Sequence, residues 1–160
     1  MNNKLSQCLA LTAVAGSLAF AGCGGSDSDD GPSAEDAQRA YAAAEAKLTA
    51  FGTQLGEALT NAGSQTDAQL ATQFSDLSDE VDEQIDDIQA LEVPEDLTKS
   101  KDDLVDALKD GQDDIEAIAS AAQANDAAAA RTAATQLVAD SKDVTEARKS
   151  LKEALDNAAK

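Results

Sequence analysis

Histidine and tryptophan are absent from this 160-residue chain, and aromatics make up 2% of it, one tyrosine and three phenylalanines. Lack of histidine removes the commonest general base and the Glu-x-x-His motif by which helical bundles hold di-iron sites. Nor is there a Walker loop, a dinucleotide-binding glycine motif, Ser-x-x-Lys or Gly-x-Ser-x-Gly. These gaps argue against catalysis and against a resident cofactor, and no catalytic residue is assigned. Positive charge is also scarce, with 12 Lys and Arg against 31 Asp and Glu and a net charge of −19. Such a surface repels nucleic acid and anionic lipid headgroups, so neither is expected as a partner of the protein's body. The two cysteines are Cys8 and Cys23, and the positions of both argue against a disulfide in the mature protein.

Those positions lie in a distinct N-terminal stretch. Met1 to Gln7 carries one cation, Lys4, and the following run from Cys8 to Phe20 is mostly apolar. At about 13 residues it is too short to span a bilayer as a helix and reads as a signal peptide. The run ends in Leu18-Ala19-Phe20-Ala21-Gly22-Cys23, which resembles the lipobox of bacterial lipoproteins. The resemblance implies that residues 1–22 are removed, that Cys23 is acylated as the new N-terminus, and that the protein sits on the extracytoplasmic face of the cell membrane or envelope. Phe20 departs from the leucine usual in that family. Ala19-Phe20-Ala21 is in addition an A-x-A site for ordinary signal peptidase, whose product is a secreted, unanchored protein.

Residues 23–32 then form a flexible tether, because GGSDSDDGP offers nothing to bury and Asp27, Asp29 and Asp30 repel one another. A calcium-loop reading of Asp27-x-Asp29 fails: Gly31 sits where the third oxygen ligand belongs and Gln38 where a bidentate glutamate is needed. No metal site is assigned.

High charge with so few aromatics is also a signature of disorder, but residues 33–160 carry strong helical periodicity. The first helix opens at Ser33, a capping hydroxyl followed by Glu35 and Asp36. Its apolar stripe is Ala37, Tyr41, Ala44, Leu48, Phe51, Leu55 and Leu59, spaced by fours and threes. Asn61-Ala62-Gly63 stops it, Thr66 restarts the chain, and Leu70, Phe74, Leu77, Val81, Ile85, Ile88 and Leu91 make a second stripe. After the break at Val93-Pro94, Leu97, Leu104, Val105, Leu108, Ile115, Ile118 and Ala122 make the third. Asn125 is read as both the end of the third helix and the cap of the fourth, whose stripe is Ala130, Ala134, Leu137, Val138, Val144, Leu151 and Leu155. Short connections favour antiparallel neighbours, so the expected fold is all-α, an up-down-up-down four-helix bundle with coiled-coil-like seams. The whole is similar to the small Ala- and Asp-rich helical lipoproteins of bacteria, a likeness specific over residues 1–31 and architectural beyond.

Polar residues interrupt these stripes. Continuing the spacing reaches Gln84 in the second helix, Lys101 and Gly111 in the third, and Ser141 and Arg148 in the fourth. Tyr41, Lys101 and Arg148 count to one level of an unstaggered bundle, where two cations and a phenol suit a small anion, although the commoner arrangement lays the Lys101 and Arg148 stems over the seam with their charges turned out to Glu45 or Asp102; with Gln84 they are the candidate ligand-binding residues. Gly111 and Ser141 are read as making room for Phe51 or Phe74, and secondarily as marking a cavity. Asp67 to Glu116 holds 18 acids and 3 bases, with Asp79, Glu83 and Asp87 repeating every four residues. That row suits a solvated face better than a hard-cation site, because a straight helix spreads its carboxylates apart. The sequence thus predicts a lipid-anchored, non-catalytic binding or scaffold module, in contact with the membrane through Cys23 and with a possible envelope protein partner. The alternatives are an anion- or cation-binding lipoprotein and a secreted helical protein.

Overall fold

The computed structural model describes residues 32–160, and the signal peptide, Cys23 and the tether through Gly31 lie outside the described residues. Four helices follow in order: α1 Ala34–Asn61, α2 Asp67–Gln89, α3 Thr98–Gln123 and α4 Ala127–Ala158. Three of them start where a side chain supplies acceptors for their orphan amides. Ser33 Oγ accepts from the Asp36 amide at 3.2 Å. Thr66 and Gln69 form a reciprocal capping box. Asp126 accepts from the Ala128 and Ala129 amides at 3.1 and 3.0 Å. α3 has no side-chain cap; a 3-10 turn at Glu95–Leu97, entered through Pro94, leads the chain into it. A second such turn, Ala62–Ser64, follows α1.

The α3–α4 turn differs from the expected single cap. Asn125 takes φ 56°, the Asp126 amide donates to Ala121 O and the Asn125 amide to Ala122 O. This is a Schellman end, with Asn125 in the left-handed region that asparagine tolerates. Asn125 therefore terminates α3, and the neighbouring Asp126 caps α4.

The helices form an antiparallel ring in which α1 packs on α2 and α4, and α3 on α2 and α4. Cross-helix pairs set the register: Gln38 with Asp156, Glu45 with Lys152 and Thr49 with Arg148 join α1 to α4. Lys47–Asp87 joins α1 to α2 and Ser78–Glu116 joins α2 to α3. The up-down-up-down four-helix bundle is thus the observed fold. Phe74, Ile88, Leu104, Leu151 and Leu155 have no exposed surface at all, and Tyr41 is 2% exposed. Of the stripe residues Val138 is the exception, 53% exposed, and α1 beyond Phe51 buries only Ala58, with Leu55 and Leu59 half-covered. No helix among the described residues is long and apolar enough to cross a membrane.

Candidate functional site

The interruptions in the stripes coincide in space. On α3 the series Leu104, Leu108, Gly111, Ile115 carries a glycine, and on α4 the series Leu137, Ser141, Val144, Arg148, Leu151 carries a serine and an arginine. α1 adds Gly52 and Gly56 on the side that faces α4. Well-packed cores leave few voids larger than a water molecule, yet these positions surround a cavity of about 290 Å³. Its walls are Leu48, Phe51, Leu55 and Leu59 from α1 and Leu137, Val138 and Val144 from α4, over a floor of Val81, Leu108 and Ile115. A Cβ placed on Gly52, Gly56 or Gly111 meets nothing within 4 Å. Gly111 therefore does not make way for an aromatic ring: Phe51 lines the same cavity, Phe74 does not, and the glycine opens space. Val138, at the rim, owes its exposure to this gap.

The hydroxyls in the wall are spent on their own helix. Ser141 Oγ donates to Val138 O and Thr145 Oγ1 to Ser141 O, both at 2.8 Å. Arg148 is different. Its Nε is shielded from solvent and has no hydrogen-bond partner, while Nη2 donates to Thr49 Oγ1 at 2.8 Å. The Tyr41 hydroxyl donates to the Arg148 carbonyl at 3.1 Å. Burial, and secondarily the charge of Glu45, raise the Tyr41 phenol above its ordinary value against the opposing pull of Arg148. Tyr41 is consequently a neutral donor near neutral pH. Glu45 itself pairs with Lys152 at 2.9 Å, an ion pair that raises the lysine's pKa.

Tyr41 and Arg148 thus come together, as the layer read from the sequence requires, and the other two candidates do not join them. Lys101 Nζ donates to Gln89 O and Leu91 O at 3.3 and 3.2 Å. It neutralises the carbonyl end of α2, where a cation is favoured. Its side chain turns to the end of α2, away from the α1–α4 side of the ring where Tyr41 and Arg148 meet. Gln84 is buried on α2 beside the α1–α2 groove, with Lys47, Glu83 and Asp87. Cys23 lies outside the described residues. Among the described residues no three His, Cys, Asp or Glu side chains gather to hold a metal ion.

One polar pair was not visible in the sequence. Asp114 on α3 faces Asp140 on α4, and its carboxyl is pushed up to about 6, first by burial and then by Asp140. Both residues flank stripe positions, Ile115 and Ser141, where only the register across the seam reveals a partner. No protein-family model, curated protein or solved structure matches this chain.

Proposed function

We propose that the protein is a non-catalytic binding module, tethered by a lipid on Cys23 at the extracytoplasmic face of the cell envelope, whose bundle offers the α1–α4 cavity to a ligand. The cavity carries this reading. A glycine and a serine stand at seam positions where large apolar side chains would close the core, and the space left is apolar apart from Arg148 and two hydroxyls bonded within α4. The lipobox-like Leu18–Cys23 and the tether that follows it support the anchor, and the acidic body would hold itself off an anionic membrane surface.

Mass spectrometry of the protein from native membranes tests the anchor: an N-terminal peptide beginning at an acylated Cys23 is expected. A species starting at Gly22 without acyl mass would instead make it a secreted protein. Thermal melting against small apolar and amphiphilic compounds tests the binding reading. A rise of several degrees with a member of the set, abolished by Gly111→Leu, is expected, and indifference to every compound would leave only a scaffold.

A further inference from the structure

We infer that the α1–α4 cavity takes a medium-chain fatty acid, with the carboxylate on Arg148 and the hydrocarbon lying between α1 and α4. This rests on the cavity being the module's binding element, and goes further by naming the chemistry of the occupant.

Three observations converge on it. The first is the state of Arg148. Acids outnumber bases by 31 to 12, and Arg39, Lys47, Lys99, Lys149 and Lys152 each have a carboxylate within 4.0 Å. Arg148 has none among the described residues, and of the bases without one (Lys101, Lys109, Arg131, Lys142, Arg148 and Lys160) it is the one that lines the cavity; its shielded Nε also lacks any acceptor. A guanidinium presents its donors as a planar fork whose geometry matches a carboxylate. Nη2, bonded through one proton to Thr49, keeps a second for such a ligand.

The second is the polarity of the wall. With Ser141 and Thr145 bonded to backbone carbonyls of their own helix, Arg148 is the one polar lining side chain with an unspent donor. A ligand matched to this lining has one planar anionic end and is otherwise apolar.

The third is length. From Arg148 to Leu137 the α4 wall runs about 16 Å at 1.5 Å per residue, and an extended hydrocarbon advances roughly 1.3 Å per carbon–carbon bond. That is about twelve bonds, so a chain of about twelve carbons with its carboxylate spans that distance. The volume of about 290 Å³ lies at the small end of ligand sites, which again favours one slender chain over a ring system.

The test uses the Cys23→Ser protein, which carries no acyl group and is handled free of detergent, in calorimetric titrations at 0.15 M salt with hexanoate, octanoate, decanoate, dodecanoate, hexadecanoate and decanol. Saturable one-to-one binding is expected, with Kd tightening about three- to fourfold per methylene up to about twelve carbons and levelling off beyond. Decanol should bind at least tenfold more weakly than decanoate. Arg148→Gln should weaken decanoate at least tenfold and leave decanol within twofold, which doubles as a check that the variant is folded. Arg148→Lys, keeping the charge without the fork, should give an intermediate loss. Gly111→Leu should abolish both ligands with helical circular dichroism unchanged. Decanoate no tighter than decanol, or decanoate binding that survives Arg148→Gln or Gly111→Leu, would overturn the fatty-acid assignment. Absence of saturable binding by any compound would overturn the cavity reading as well, so the two failures are told apart.

Discussion

Asp114 and Asp140 meet across the α3–α4 seam, and their pairing has a sign that can be worked out. Asp114 Oδ2 is buried without a hydrogen-bond partner, because two ionised carboxylates have no proton to donate. Burial, Asp140, and then Asp113 and Asp110 on the same helix push the Asp114 carboxyl up to about 6. An unfolded aspartate titrates near 3.9, so between those values the folded state holds more protons than the unfolded one. The pair therefore adds stability as pH falls from above 6 towards 4, and its cost is present at neutral pH. Asp114→Asn, whose amide can donate to Asp140, should stabilise the protein by about 1 kcal/mol at pH 7.5, a figure discounted for partial solvent contact. The gain should vanish near pH 4.5, and urea denaturation at the two pH values measures it. Equal gains at both would mean that repulsion is not the cause.

Among the elements, α4 shows how a long helix is held by few fully buried side chains. Of its 32 residues only Leu137, Leu151 and Leu155 are buried, and the stretch between Leu137 and Leu151 faces the cavity. Its start depends on the Asp126 carboxylate, which satisfies two amides. Asp126→Ala should cost about 1 kcal/mol, seen as a lower midpoint in chemical denaturation; an unchanged midpoint would mean that the Asn125 turn alone sets the start of α4. α1 is the complementary case. Its first half is anchored by Tyr41, Leu48 and Phe51, whereas Leu55 and Leu59 border open space. The stripe pattern of α1 was legible in full, but its looseness past Phe51 was not, since periodicity says which side chains face inward and nothing of how near the opposite wall stands.

Over the whole molecule the dominant quantity is charge. Residues 67–116 hold 18 acids and 3 bases, and α2 repeats Asp79, Glu83 and Asp87 at a spacing that places like charges side by side. In that row Lys47 from α1 pairs with Asp87. Raising ionic strength from about 0.01 M to 0.5 M shortens the screening length from roughly 30 Å to a few ångströms, which relieves this self-repulsion. With like-charge helix pairs costing about 0.2 to 0.5 kcal/mol each, Tm should rise by roughly 3 to 8 °C over that range. A falling Tm in sodium chloride would mean that the surface ion pairs outweigh the repulsion.

The sequence by itself determined the class of fold, the four helices, two of the three side-chain caps and the positions of the large core side chains, because the 3.6-residue repeat and capping chemistry act within a few neighbouring residues. Phe74, Val81, Leu104, Ile115 and Leu151 are buried where the spacing puts them. Tertiary structure decided what the interruptions mean. Gly111 and Ser141 belong to different helices, and only the approach of α3 and α4 to a more distant half of α1 turns two small residues into a cavity. The same holds for Lys101, drawn to the end of α2, and for Asp114, whose partner is set by register. Each depends on distances between chain segments far apart in sequence, which no local pattern encodes.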